Sequence, residues 1–80
     1  MLDLPMIDPV LTGRNITNLR KQAGLSVHDL QRIFGFNSPQ AIYKWQSGAS
    51  LLSIDNLIVL AKVLDVRIDD IIVVCPPPDR

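Results

Sequence analysis

The stretch 26–48, SVHDLQRIFGFNSPQAIYKWQSG, constrains this chain more than any other, because its punctuation leaves the backbone few options. Ser26 suits an N-cap, and Asp29 stands three residues on, where a carboxylate reaches back to free amides and favours the positive end of a helix. Leu25 and Leu30 flank that start at the spacing of a hydrophobic staple. Val27, Leu30, Ile33 and Phe34 recur at helical spacing and predict a single apolar stripe. Gly35 then closes the helix, since glycine takes the left-handed C-cap conformation at little steric cost. Ser38 is expected to cap a second helix, with Pro39 at its first position, where a missing N–H costs nothing. That helix turns Ala41, Ile42 and Trp45 inward and Gln40, Tyr43, Lys44 and Ser47 outward, and Gly48 stops it. A short rod anchored by an indole, with an amide, a phenol and an ammonium opposite, suits a groove lined by base edges.

Eighty residues make one domain, with 48% apolar and 20% charged content suited to a packed core. No apolar run is longer than that at 71–75, which is too short to span a bilayer, and no basic-then-apolar leader precedes the first helix. A single cysteine, Cys75, excludes an internal disulfide, and no Cys/His cluster suits zinc. A reduced, cytoplasmic setting is therefore expected, without membrane, cofactor, metal or evident small-molecule ligand. The sequence has no glutamate, no glycine-rich phosphate loop and no Ser/His/Asp arrangement, so enzyme is the least supported class. His28 reads as a surface residue, and Trp45 as a core anchor rather than a stacking platform.

Net charge is zero, but its distribution is polarised. Residues 10–50 hold Arg14, Arg20, Lys21, Arg32 and Lys44 against Asp29, a net of +4. Residues 51–80 hold Lys62, Arg67 and Arg80 against Asp55, Asp65, Asp69, Asp70 and Asp79, a net of −2. The outward polar helix lies in the positive half.

Along the chain, 1–11 reads as an extended N-terminal arm carrying prolines, and 12–73 as the folded domain. Its first helix is expected from Thr12, with Ile16, Leu19, Arg20 and Ala23 on one face and Gly24 as its stop. After the two helices above, Ser53 caps a fourth with inward Leu57, Leu60, Ala61 and Leu64, ended by Asp65 and Val66. A short fifth covers 68–72, with Asp69 and Asp70 at its positive end. Residues 74–80 read as a proline-rich tail that is not helical. The apolar ends, 2–7 and 71–74, are expected to pack over the core in preference to pairing as strands. Five short helices with brief turns make a compact all-α domain.

The pattern Gly13-Arg14-Asn15-Ile16, Leu19-Arg20, Gly24-Leu25-Ser26, Asp29-Leu30, Gly35-Phe36, Ile42, Trp45, Gly48, Ser53-Ile54-Asp55-Asn56-Leu57, Leu60-Ala61 and Asp69-Asp70-Ile71 resembles the XRE family, the Cro and lambda-repressor-like helix-turn-helix proteins. The resemblance spans about 12–73. It implies a lambda-repressor-like five-helix bundle whose third helix enters the major groove of double-stranded DNA, commonly as a two-fold homodimer on a palindromic site. By position it implies base contacts from Ser38, Gln40, Tyr43 and Lys44. Gln40 matches adenine N6/N7 and Lys44 matches guanine O6/N7.

The chain departs from the family pattern at several positions. The turn from Gly35 to Trp45 is one residue longer than in the commonest family pattern, Gln31 replaces a usual alanine, and Val27 replaces a glutamine that typically touches phosphate. The start at Ser26 still offers backbone amides to a phosphate. Gln46 stands in place of a glutamate that pairs with the residue matching Arg20, so an Arg20–Gln46 hydrogen bond leaves Arg20 uncompensated and freer to face a phosphate. The connection 49–52 lacks a cation. Weak non-specific binding with a shallow salt slope is expected, about −0.9 per neutralised phosphate. The rival reading is a protein-interaction module on the same fold, antitoxin-like or an accessory subunit, whose polar face meets a protein.

Overall fold

The computed structural model describes residues 5–75. In chain order these form β1 (Met6–Ile7), α1 (Pro9–Gln22), α2 (Val27–Phe34), α3 (Gln40–Ser47), α4 (Ile54–Leu64), α5 (Ile68–Ile71) and β2 (Val74–Cys75). The five expected helices are all present. The first four residues of the expected arm and the tail beyond Cys75 lie outside the described residues.

One core joins every helix. Ile16, Leu30, Ile42, Trp45, Leu60, Ala61, Leu64 and Ile71 are buried, and Leu19, Val27, Phe34, Phe36 and Leu57 pack against them. Phe34, Phe36 and Trp45 form a mutual cluster with ring centroids 5.2–5.8 Å apart, the indole meeting both phenyl rings edge-on. α1 lies so close to α3 that a methyl group on Gly13 would collide with the carbonyl oxygens of Trp45 and Gln46. Glycine is needed there for room. At Gly35 and Gly48 it is needed for conformation, with φ of 73° and 84° at the ends of α2 and α3.

Four expectations need correcting. α1 starts at Pro9, not Thr12, so the extended arm is shorter than read. Asp8 is its N-cap, its carboxylate accepting from the Leu11 amide at 2.9 Å, and Pro9 takes the first helical position. The Asp-Pro pair is a helix start, not a loop mark. α3 starts at Gln40 with Pro39 as cap, because the Pro39 carbonyl accepts the first helical bond, from Tyr43 N at 3.1 Å. Ile33, expected in the apolar stripe of α2, and Ala23, expected on one face of the first helix, are exposed, since no element among the described residues covers them.

The fourth correction concerns the apolar ends, which do pair. β1 and β2 form an antiparallel ribbon with Met6 opposite Cys75 and Ile7 opposite Val74. The Asp8 amide extends it by donating to Val73 O at 2.8 Å. Thr12 makes this pairing favourable. The residue is 2% exposed, and its hydroxyl accepts from Val73 N at 2.9 Å and donates to Val73 O at 3.3 Å. Asn15 adds a side-chain amide that donates to the carbonyls of Asp70 and Ile71. Packing alone would leave the polar backbone of residues 71–74 unpaired beside α1, and these bonds remove that penalty.

Candidate nucleic-acid interface

α2 is fixed by its own termini. Ser26 and Asp29 form a reciprocal capping box, Asp29 N donating to Ser26 Oγ at 3.0 Å and Ser26 N to Asp29 Oδ2 at 2.9 Å. Those bonds from the Ser26 backbone and side chain, helped by the nearby Arg32 guanidinium, hold the Asp29 carboxyl below its ordinary value. Arg32 reaches Asp29 at 3.3 Å. The negative charge at this helix start is therefore internally matched. The box commits the Ser26 and Asp29 amides and leaves the first-turn amides of Val27 and His28 as the groups a phosphate would meet.

α3 is fixed by its neighbours. Ile42 is fully buried and Trp45 is 4% exposed, which turns Gln40, Tyr43 and Lys44 to the outside together. Tyr43 is 52% exposed, so its ring lies on the surface as well as its hydroxyl. Ser38 is exposed just ahead of the helix, its hydroxyl accepting from Gln40 N at 3.4 Å. Ser47 is differently occupied: its hydroxyl donates to Lys44 O and accepts from Ala49 N, closing the far end of the helix. The sequence from Leu30 to Ile54 contains no acidic residue. The face is cationic, polar and uninterrupted by a carboxylate from its own segment.

Arg20 is half-buried and bonded internally. Its Nε donates to Gln46 Oε1 at 3.0 Å, and a terminal nitrogen donates to Leu25 O at 2.8 Å. One guanidinium thus ties the end of α1 to the loop before α2 and to α3. The structure therefore brings together Ser38, Gln40, Tyr43 and Lys44, keeps Ser26 at the start of α2, and ties Arg20 to Gln46 and to the Leu25 carbonyl.

Reading by residue type passed over three positions. Asn37 is exposed in the turn immediately before Ser38, where the extra turn residue was the available signal. Thr12 and Asn15 hold the backbone of residues 70–73 against α1. Thr12 lies one turn before Ile16 on the inward side of α1, a place where a polar residue needs a partner.

Comparison with known proteins fits this geometry. A family model described as helix-turn-helix matches residues 16–71, well over half of the chain. The restriction-modification controller protein C.AhdI from Aeromonas hydrophila superposes with a TM-score of 0.71 at 26% identity, covering 80% of this chain and 96% of that one. The DNA-binding domain of BldD superposes with a TM-score of 0.69 at 18% identity, covering 81% of this chain and 93% of that one, a likeness of fold. The S. venezulae BldD DNA-binding domain gives the same score and identity and is covered to 96%. Among curated proteins none matches by sequence.

Proposed function

This chain belongs to the helix-turn-helix family, and from that premise we propose that it is a non-enzymatic, cytoplasmic DNA-binding transcriptional regulator that inserts α3 into the major groove. The observation that carries the reading is the outward trio Gln40, Tyr43 and Lys44 on a helix backed by buried Ile42 and Trp45. Gln40 can bond adenine N6/N7 in bidentate fashion and Lys44 can donate to guanine O6/N7. Tyr43 offers its ring to a thymine methyl or its hydroxyl to a phosphate. Ser38 sits where the rod meets the edge of the groove. Arg20 positions α3 through Gln46 and keeps donors to spare for a phosphate, and the start of α2 at Ser26 presents amides to the backbone. Regulation follows from occupancy, by blocking or recruiting polymerase at the bound site.

C.AhdI is a controller of a restriction-modification system, and a controller role of the same kind fits this fold. Among the described residues no helix is long and apolar enough to cross a membrane. Selection of bound duplexes from a random DNA pool tests the reading. A common motif is expected, with binding that weakens as salt rises. Failure to retain any duplex at low salt would leave the protein-interaction module as the better account of the same face.

A further inference from the structure

Residue 31 holds both backbone polar groups of Phe36. The Phe36 amide donates to Gln31 O at 3.0 Å, and the Gln31 side-chain amide donates to Phe36 O at 3.3 Å. The first bond closes a helix ended by left-handed Gly35 in the usual way. The second is supplied by a half-buried side chain, and it is the last hold on the backbone before α3. Among the described residues, no other hydrogen bond within the chain reaches the backbone between the Phe36 carbonyl and Pro39 N. α3 has no side-chain cap at Pro39, and the Ser38 hydroxyl meets Gln40 N only at 3.4 Å.

Two constraints meet at Phe36. Its ring is packed on Phe34 and Trp45, with centroids 5.2 and 5.8 Å away, which settles where the residue sits. Its carbonyl lies in one rigid plane with the Asn37 amide, so holding the oxygen settles the direction in which the chain leaves. Asn37 and Ser38 follow, both exposed, and Gln40 opens the outward face of α3. An alanine at 31 has no group to reach Phe36 O, so the glutamine and the longer turn, two departures from the family pattern, are joined by one bond. We propose that Gln31 is a positioning residue: through Phe36 it sets the course of the turn and so the placing of Asn37, Ser38 and Gln40 at the start of α3. Lys44 lies a full turn further on, beside buried Trp45, and is set without it. The effect on DNA rests on the reading of α3 given above, whereas the brace is a property of the free chain.

Gln31→Met tests it, because methionine keeps the length of the side chain and removes the donor; circular dichroism checks that the variant folds. In the isotopically labelled unaltered chain, NMR should show hydrogen-bond coupling between the Gln31 side-chain amide and the Phe36 carbonyl. In the variant, backbone order parameters at Asn37 and Ser38 should fall from about 0.85 to about 0.6 or less, with Leu30 and Trp45 unchanged. On selected duplexes the variant should lose about threefold to tenfold of the preference at the base pair met by Gln40. The base pair met by Lys44 should be unaffected. Gln31→Met should cost little more once Gln40→Ala is present, and its effect should simply add to that of Lys44→Ala. Loosened packing without a positioning role would weaken both preferences alike. Order parameters that stay unchanged in the variant would overturn the proposal. So would equal losses at the two base pairs, or an effect that adds in full to that of Gln40→Ala. If the unaltered chain retains no duplex, the regulator reading fails alone: a loosened turn in the free variant still upholds the brace, and a rigid one still removes it.

Discussion

α3 and α4 are short helices leaning on the same core, and their outer faces are opposite in character. α3 shows an amide, a phenol and an ammonium to the outside, and α4 shows Ile54, Ile58 and Val59. Both present more than a solvated helix needs. A polar face keyed with hydrogen-bonding groups suits a wet, charged groove in which base edges must be distinguished. An apolar face suits a dry surface of similar kind. One small bundle can thus serve two partners of different chemistry, provided its core holds both rods at fixed angles.

The largest expected effect comes from breaking what both faces share. Gly13→Ala drives a methyl group into the carbonyls of Trp45 and Gln46, so α1 and α3 must separate. A loss of about 3 kcal/mol is expected. In a domain this size that lowers the thermal midpoint by roughly 12–24 °C, measurable by calorimetry. Both faces should fail together.

A smaller effect separates the two regions. Thr12→Val keeps the shape and removes the hydroxyl that bonds both polar groups of Val73. A cost of about 1–3 kcal/mol is expected. Hydrogen exchange should quicken first at the ribbon and α5, with the amides of α3 still protected, and Thr12→Ser should recover most of the loss. Uniform loosening of the whole bundle would show that the ribbon is not a separable unit.

Comparable in size but confined to α3, Gln40→Ala and Lys44→Ala should each relax preference at one base position by about 1–3 kcal/mol, read by competition between selected and altered duplexes. The thermal midpoint should stay unchanged, because both side chains are exposed.

Smallest is the response of α2 to its cap. Ser26→Ala should cost about 1 kcal/mol. The contribution of Asp29 depends on pH with a definite sign. Its folded carboxyl titrates below the ordinary value of 3.8, so the stabilisation is present above that value and is lost as pH falls through the lower folded value. Asp29→Asn should flatten this acid limb, as seen by far-UV circular dichroism.

How much of this was legible in the sequence follows the same division. α2 and α3 were readable because their signals are local: Ser26 with Asp29, Gly35, Gly48, and an indole spaced against Ile42. The ribbon was not, because Met6 and Cys75 are far apart in sequence and strands of two residues carry no periodicity. The start of α1 was misread for a different reason. Asp8-Pro9 serves equally as a loop mark and as a cap with its first helical residue, and only the neighbouring strand decides between them. Ile33 shows the limit of periodicity, which orders a stripe but does not say how far its neighbours extend over it. The outward positions of Gln40, Tyr43 and Lys44 could be read because Trp45 and Ile42 fix the rotation of α3. The internal bonds of Arg20 could be read only as far as Gln46, since the Leu25 carbonyl comes from the fold.

The most direct test of the polar face is a titration of the isotopically labelled chain with a selected DNA duplex, followed residue by residue by NMR. The largest shifts are expected at 38–44, with smaller ones at the start of α2 and none along the outer side of α4. Shifts centred on Ile54, Ile58 and Val59, with the amides of Gln40, Tyr43 and Lys44 unmoved at saturation, would contradict the assignment of α3 as the reading helix.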